Sequence, residues 1–321
     1  MHKEYFRAGI IGATGYTGQE LLGLIARHPR LRLGFATSEA EAGRRIPGNG
    51  GTYVSASQAP LGDVDVVFSC LPTGESGPWA RRAVEAGALS IDLSADLREP
   101  GSGATYGLPE LWREEVRSAR LIANPGCYPT GVLLAVAPAV RRGLVDRARP
   151  IVIDAASGVT GAGRSARRDL LFGEVSEDYR AYGVGNCHRH VPEMRHGLKR
   201  LNGGAPSFIF TPHLLPVRRG ILETIYLPLT SALPVGDAVE IWRTAYAGEA
   251  FVEVLDAGEL PTLRDAAHRN TVAIGFSEVR DVEQPTLIVF AAFDNLVKGA
   301  AGQALQNANL VLGLEETLGL A

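Results

Sequence analysis

A glycine-rich turn near the start of the chain restricts the fold more than any other feature of the sequence. It lies between the apolar residues 8–11, which are typical of a buried strand, and residues 18–27, whose apolar side chains share one helical face. The residues of the turn are Gly12, Ala13, Thr14, Gly15, Tyr16, Thr17 and Gly18. A strand that turns directly into a helix begins a strand–helix–strand unit, so we expect a parallel sheet with right-handed crossovers.

The rest of the chain divides into two halves with different patterns. In the first half, residues 31–36, 64–70 and 89–93 predict buried strands and residues 78–86 a helix. After about residue 125, a helix is predicted over 130–142 and another over 299–314. The strands predicted between them are residues 150–156, 208–211, 223–229, 251–255, 271–277 and 286–293. Because no helices are predicted between these strands, we expect an α/β protein with a Rossmann-type parallel-sheet domain and an α+β domain whose sheet is mixed or antiparallel.

Charge and cysteine content exclude several classes of function. The net charge of -3 and isoelectric point near 6.2 give no field that would attract nucleic acid or an anionic membrane. The longest apolar stretch, residues 131–140, contains Pro138 and is too short to span a bilayer. Three widely spaced cysteines form neither a disulfide framework nor a four-cysteine zinc site. We therefore expect a cytoplasmic protein without a metal, in which a single cysteine can be a nucleophile.

The position of the glycine-rich turn predicts a dinucleotide site. Gly12 can make the sharp turn, Gly15 lets a diphosphate approach the backbone, and Gly18 lets the helix pack on the strand. The diphosphate would then accept hydrogen bonds from the free N–H groups at the helix N-terminus, near Thr14, Tyr16 and Thr17.

The end of the second predicted strand bears on which dinucleotide is bound. Glu39 lies close to the place where a carboxylate would favour NAD. Ser38, with Arg44 and Arg45 shortly after it, supplies the hydroxyl and the guanidinium that a 2′-phosphate needs. These residues favour NADPH, although the two arginines could equally be solvated loop charges.

Cys127 is the strongest candidate for a nucleophile. Pro125 and Gly126 force a turn immediately before it, and the predicted helix starts near Thr130. A cysteine at a helix N-terminus is favoured as the thiolate, and the neighbouring N–H groups can hold a developing oxyanion. A buried structural cysteine is the competing interpretation, and it is the one that we give to Cys70 at the end of an apolar strand.

Two histidines supply candidate bases. His188 and His190 are two residues apart, so they would point to the same side of an extended segment, and imidazole titrates near neutral pH. Glu193 could orient one of the rings, while no third ligand at zinc-like spacing accompanies the pair. We interpret Cys187 as uninvolved. The histidines that we expect at the surface are His2, His28, His196 and His268.

Several segments of the chain, taken in order, resemble the N-acetyl-γ-glutamyl-phosphate reductase family. The Cys127 segment 124–130 and the glycine–arginine segment 157–164 are the most specific. The other segments are residues 12–18, 92–96, 106–110, 188–190, 210–222 and 295–303. The resemblance covers nearly the whole chain.

This resemblance implies a fold and an activity. It implies NADPH-dependent reduction of N-acetylglutamyl 5-phosphate to the semialdehyde through a thioester, in arginine biosynthesis. It also implies a discontinuous NADP-binding domain, residues 1–126 with 294–321, and a catalytic and oligomerisation domain, residues 127–293.

The resemblance also implies roles for individual residues. It makes Cys127 the nucleophile and one of His188 and His190 the general acid/base, with His190 favoured and His188 nearer the substrate. Ser157, Gly158 and Asn295 would lie near the nicotinamide. The residues implied to hold the substrate or order the site are Arg98, Tyr106, Glu110, Arg164 and Glu193.

Other functions use the same features. An enzyme of the aspartate-semialdehyde dehydrogenase type, or one acting on carrier-linked acyl phosphates, would share the machinery, and a sensor would bind NADPH without turnover. Exposed sheet in the second domain predicts a homodimer or homotetramer. The expected partner is otherwise a small acyl phosphate, with no nucleic acid and no membrane.

Overall fold

A computed structural model describes residues 3–48 and 50–320, and the chain forms two units. Unit 1 comprises Met1–Gly126 and Ala300–Ala321, and unit 2 comprises Cys127–Gly299. The chain returns to unit 1 after Gly299, whereas the boundary implied by the resemblance follows residue 293. Asp294 and Asn295 belong to unit 2 because they accept hydrogen bonds from the backbone N–H groups of His268, at 2.7 Å, and Gly220, at 2.8 Å.

Thirteen strands and nine α-helices are present among the described residues. The strands are β1 Phe6–Ile11, β2 Leu31–Ala36, β3 Val66–Ser69, β4 Leu89–Asp92, β5 Thr105–Tyr106, β6 Leu121–Ala123, β7 Ile151–Gly158, β8 Arg180–Ala181, β9 Phe208–Leu215, β10 Ile221–Pro228, β11 Val252–Val254, β12 Val272–Glu278 and β13 Thr286–Phe293. The helices are α1 Tyr16–Arg27, α2 Ser76–Glu85, α3 Pro109–Arg117, α4 Cys127–Arg141, α5 Phe172–Val175, α6 Val191–Asn202, α7 Val235–Ala245, α8 Leu263–Ala266 and α9 Gly302–Val311.

Unit 1 contains a six-stranded sheet in the order β2-β1-β3-β4-β6-β5, and every adjacent pair is parallel. Successive side chains of a strand point to opposite faces of the sheet, so alternate residues pack in the two hydrophobic cores on either side of it. Phe68 packs with apolar residues of α1 and α9, whereas Val67 packs with Ala83 of α2 on the opposite face. Helices on both faces of a parallel sheet confirm the predicted Rossmann-type architecture.

Unit 2 contains a seven-stranded mixed sheet in the order β11-β12-β13-β10-β7-β9-β8. The pairs β7–β9 and β11–β12 are parallel, and the other four are antiparallel. The mixed sheet was predicted, but the absence of helices between its strands was wrong. Helix α6 lies between β8 and β9, and α7 lies between β10 and β11.

Helix α4 is nearly completely buried and contains a proline in its interior. Pro138 has no N–H to donate to the carbonyl of Leu134, four residues earlier. The Tyr246 hydroxyl donates to that carbonyl instead, and Trp242 Nε1 donates to the carbonyl of Ala135 at 2.8 Å. The helix therefore passes the proline without leaving this buried carbonyl unsatisfied.

The surface location expected for His28 was wrong. His28 is buried, its Nδ1 accepts from Leu31 N–H at 2.9 Å, and its Nε2 pairs with Asn309 Oδ1 at 3.1 Å. Burial lowers the pKa of this imidazole. His268 is exposed, His196 is half-buried, and His2 lies outside the described residues.

Candidate active site

The glycine-rich turn of unit 1 has the geometry of an anion site. Gly12 has φ of 79°, which favours glycine, and a Cβ on Gly18 would lie 2.7 Å from the Ala13 Cα. A Cβ on Gly15 would meet only the Gly12 carbonyl oxygen, at 3.8 Å, so the space above Gly15 is open. Helix α1 begins at Tyr16 with no side-chain cap and no acidic residue in its first turn. Its N–H groups can therefore bind a diphosphate.

The residues after β2 are arranged around the same turn. Ser38 Oγ lies 3.2 Å from Thr14 Oγ1, so two hydroxyls meet there. Glu39 Oε1 accepts a hydrogen bond from the N–H of Ala56 at 2.8 Å, so a loop holds this carboxylate. Arg44 is exposed and forms an ion pair with Glu41 at 2.8 Å. Its guanidinium is partly neutralised before any phosphate binds.

Cys127 is the first residue of α4, three residues before the expected helix start. Proline is tolerated in the first turn of a helix, where N–H groups lack intrahelical partners, so Pro129 does not delay the start. No acidic residue lies in that turn, and the helix dipole stabilises negative charge on Sγ. A Cβ on Gly299 would lie 2.9 Å from the Cys127 Cβ, so glycine is needed for the backbone to pass this close to the thiol.

An aromatic cluster adjoins the candidate nucleophile. The Tyr128 ring meets the rings of His188 and Phe210 edge-on, with centroids 5.5 and 5.1 Å away. The rings of His188 and His190 are 4.8 Å apart, although the residues around them form a turn and not the extended segment expected. The Tyr128 hydroxyl pairs with that of Tyr182 at 2.9 Å, and burial raises the pKa of Tyr182 to about 12. Both phenols are therefore neutral at physiological pH.

The two histidines differ in environment. His188 Nδ1 accepts from the backbone N–H of His190 at 3.1 Å, so a neutral His188 carries its hydrogen on Nε2. Burial and the charge of Arg189 lower the pKa of His188 to about 4, and this ring is therefore neutral near pH 7. His190 is 3% exposed and precedes α6, and Glu193 is buried in the first turn of that helix.

The predicted nicotinamide-side residues form a tightly bonded turn in unit 2. Asn295 accepts from the N–H of Gly220 at 2.8 Å and donates to Thr160 Oγ1 at 3.0 Å. A Cβ on Gly158 would lie 2.7 Å from the backbone N of Arg219, so only glycine fits. Ser157 is buried beside this turn and donates to the carbonyl of Gly158 at 3.2 Å.

A buried ion pair supports this turn and was not predicted. Asp294 Oδ2 accepts from Arg219 at 3.1 Å, and its Oδ1 accepts from the N–H of Leu296 at 2.8 Å. The sequence offered a signal for this pair. Asp294 directly precedes the predicted site residue Asn295, and Arg219 directly precedes Gly220 in one of the resembling segments. The pair fixes the segments that carry Gly220 and Asn295.

Most of the other predicted substrate residues have structural partners in unit 1. Arg98 donates to the carbonyls of Leu93 and Asn124, both at 2.9 Å, and so holds the segment that leads to the cysteine. Glu110 accepts from Gln306 Nε2 at 2.9 Å, and the Tyr106 ring packs edge-on against Trp112. In unit 2, Arg164 is exposed in the loop after the Val159–Ala162 turn.

Unit 2 contains a cavity of about 360 Å³ beside His188. Its size suits a small metabolite. The lining residues include polar backbone and side-chain groups, three arginines and a thiol, and they are Ser157, Gly158, Gly161, Ala162, Arg167, Asp169, Leu170, Arg180, Tyr182, Gly183, Cys187, His188, Arg189 and Leu214. Cys187, which we had interpreted as uninvolved, therefore lines the cavity.

Neither metal-ligand clusters nor spanning helices occur in the described residues. Across 3–48 and 50–320, no three His, Cys, Asp or Glu side chains are grouped to hold a metal ion. In the same part of the chain, no helix combines the length and apolar character needed to cross a bilayer.

Comparison with known proteins gives consistent similarities over both units. Residues 7–119 match the family "Semialdehyde dehydrogenase, NAD binding domain", and residues 127–295 match "Semialdehyde dehydrogenase, dimerisation domain". The N-acetyl-gamma-glutamyl-phosphate reductases of Citrifermentans bemidjiense and Geobacter sp. strain M21 are each 43% identical, over 98% of this chain and 97% of the relative.

Solved structures share the fold at lower identity. Aspartate semialdehyde dehydrogenase II of Vibrio cholerae, complexed with ASA, has a TM-score of 0.78 and 20% identity over 97% of this chain and 99% of its own. The enzyme of Candida albicans with NADP has a TM-score of 0.73 and 18% identity over 96% of this chain and 98% of its own. At these identities the similarity shows the fold alone.

Proposed function

We propose a function on the premise that this chain belongs to the N-acetyl-gamma-glutamyl-phosphate reductase family, as its similarity to curated relatives shows. The protein reduces N-acetyl-L-glutamyl 5-phosphate to N-acetyl-L-glutamate 5-semialdehyde with NADPH, in arginine biosynthesis. The observation that carries this proposal is Cys127 at the N-terminus of α4, beside the cluster of Tyr128, His188 and His190.

The cofactor site lies in unit 1. The open space above Gly15 and the uncapped N-terminus of α1 fit a diphosphate, and the hydroxyls of Thr14 and Ser38 fit a ribose or its phosphate. The loop that holds Glu39 keeps a carboxylate engaged elsewhere, which favours a 2′-phosphate. When bound, NADPH supplies the hydride for the reduction.

Cys127 carries the covalent step. Its thiolate attacks the acyl carbon, the new S–C bond forms, and phosphate leaves with the electron pair of the C–O bond. The N–H groups of the first turn of α4 stabilise the oxyanion that develops during attack. Cys127 would hold the thioester for reduction by the bound cofactor, after which the C–S bond would break and release the aldehyde.

The histidines divide the remaining tasks. His190 protonates the departing thiolate and takes the proton back in the reverse direction. His188, which is neutral near pH 7, donates from Nε2 to a substrate oxygen in the adjoining cavity.

Reverse-direction kinetics test this proposal. The purified protein should reduce NADP⁺ with N-acetylglutamate semialdehyde only when inorganic phosphate is present, and NAD⁺ should be a poorer oxidant. Cys127→Ser should lose at least about 1000-fold in kcat with unchanged NADP⁺ binding, because no thioester forms. Phosphate-independent turnover, or preference for aspartate semialdehyde, contradicts the proposed reaction.

The open face of the unit 2 sheet is the proposed dimer interface. Tyr226 and Ile209 are 38% and 45% exposed, and Val152 pairs with both of them in adjacent strands. Ile288 pairs with Tyr226 on the other side, so an apolar row crosses four strands. Such a row on a monomer would leave a large apolar patch in water, and a second copy of the chain covers it.

Sedimentation velocity tests the interface. Tyr226→Asp should shift the protein toward monomer, because an unpaired carboxylate would be buried at the centre of the contact. Val282→Asp, at a residue 50% exposed in the loop between β12 and β13, is the matched control and should leave the sedimentation coefficient unchanged. An unchanged coefficient in Tyr226→Asp contradicts this interface.

A further inference from the structure

The cavity of unit 2 has an excess of positive charge whose source can be traced. Three of its lining residues are arginines, Arg167, Arg180 and Arg189, and one is an acid, Asp169. His188 contributes no charge near pH 7, because its pKa is lowered to about 4. The charge that an incoming ligand meets therefore depends on which arginines are already paired.

Two of the three arginines are committed to carboxylates of the protein. Arg167 binds Asp169 in a two-pronged arrangement, with N–O distances of 3.1 and 2.7 Å. Arg180 pairs with Asp178 and also donates to the carbonyl of Asp169 at 2.6 Å. Both guanidiniums are thus held by existing partners, which reduces the charge that they offer to a ligand.

Arg189 is different. It is exposed, it lines the cavity, and within residues 3–48 and 50–320 it forms no ion pair with Asp or Glu. Its charge acts on His188 and Tyr182, lowering the pKa of the imidazole and opposing the rise in that of the phenol. Arg189 is therefore the uncompensated cation among the arginines of the cavity.

The position of the cavity indicates which end of the substrate it holds. The acyl carbon and its phosphoryl group must reach Cys127 Sγ, and Cys127 is not among the lining residues. His188 lines the cavity, and its ring packs against Tyr128, the residue after the nucleophile. The group inside it is therefore the end of the substrate remote from the phosphoryl group.

We propose that Arg189 binds the α-carboxylate of the N-acylated substrate and so determines specificity at the end remote from the reaction. Leu170, Leu214 and Ala162 line the same cavity and provide apolar contact for the acyl methyl group. This inference rests on the proposed function. Arg189 thereby distinguishes a substrate with a carboxylate from an otherwise identical aldehyde without one.

Two aldehydes separate this role from others. N-acetylglutamate semialdehyde carries the α-carboxylate, and 4-acetamidobutanal is the same molecule without it. With NADP⁺ and inorganic phosphate, the wild type should prefer the first by about 10- to 100-fold in kcat/KM, the range for a hydrogen-bonded charge. In Arg189→Gln the preference should fall to about 3-fold or less, through loss on the carboxylated aldehyde only. The KM values for phosphate and NADP⁺ should stay unchanged.

Arg167→Gln is the matched comparison, because Arg167 lines the same cavity but is paired. It should retain the wild-type preference between the two aldehydes. The proposal is overturned if Arg189→Gln slows both aldehydes equally, if it raises the KM for phosphate, or if Arg167→Gln is the variant that loses the preference. A wild type that oxidises neither aldehyde contradicts the proposed function itself, and with it this assignment of the substrate.

Discussion

Glu223 provides a sharp test of how burial controls charge in unit 2. It is 0% exposed in β10, and neither carboxyl oxygen has a hydrogen-bond partner among the described residues. Burial raises its pKa well above the ordinary 4.5. The folded protein therefore holds a proton on Glu223 that the unfolded chain releases above pH 4.5, so stability falls as pH rises from 4.5 toward the folded-state pKa.

The magnitude follows from that difference in protonation. Each pH unit between 4.5 and the folded-state pKa lowers the free energy of unfolding by about 1.4 kcal/mol. If Glu223 stays protonated at pH 7, the total loss is about 3 kcal/mol. Glu223→Gln has nearly the same shape and cannot ionise. The variant should match the wild type near pH 4.5 and exceed its stability by an amount that grows up to pH 7.

Chemical denaturation at pH 5, 6, 7 and 8 measures this difference directly. Glu240→Gln, at an exposed position on α7, is the matched control and should differ from the wild type by less than about 0.5 kcal/mol at every pH. Parallel stability curves for Glu223→Gln and the wild type would refute the reasoning. They would mean that Glu223 has the same protonation state in the folded and unfolded protein.

Three further changes test separate parts of the structure. Gly131→Ala places a Cβ 2.3 Å from Glu223 Oε2 and should destabilise by about 1–3 kcal/mol, measured by denaturation, with partial recovery on adding Glu223→Ala. Ala56→Pro removes the N–H that holds Glu39, and the extended conformation of Ser55 suits a following proline. Because the Glu39 carboxylate is then released, the ratio of kcat/KM with NADP⁺ to kcat/KM with NAD⁺ should fall several-fold. An unchanged ratio contradicts the role given to this loop. In a Cys127→Ser background, which removes the nucleophilic thiolate, a thiol reagent should still label exposed Cys187 rapidly, and adding Cys187→Ser should abolish this fast phase; rapid labelling in the double variant would point to another thiol.

Local patterns were sufficient to predict the first four strands of the unit 1 sheet, β1 to β4. Its first strands are short apolar segments and its turn is rich in glycine, so neighbouring residues in the chain carry the information. Helix α6 was missed because residues 182–190 lead into it through a turn that holds two histidines, and Pro192 lies in its first turn. A proline there is compatible with a helix, but it gives no periodic signal by itself.

Long-range contacts account for what the sequence did not show. His28 and Asn309 are 281 positions apart, so nothing near His28 indicated that it is buried. Arg98 was assigned to substrate because arginine suits phosphate, and the sequence did not show that its guanidinium also donates to two backbone carbonyls. Arg189 was not singled out between two histidines, since the sequence does not show that it lines one cavity together with Arg167 and Arg180, each of which is paired with an aspartate two positions away.

The interruption of unit 1 has a consequence for the order in which the protein folds during synthesis. Helix α9 supplies Ala304 and Leu305 to the core of unit 1, and Asn307 donates to Asn124 Oδ1 at 3.1 Å. These residues follow the whole of unit 2, whose length is 299 − 126 = 173 residues. At about 5–20 residues per second, a ribosome needs roughly 10–35 s to pass through unit 2. The apolar surface of the first sheet that α9 covers therefore stays uncovered during this time. Unit 2 is continuous in the chain, so it can complete its own core first.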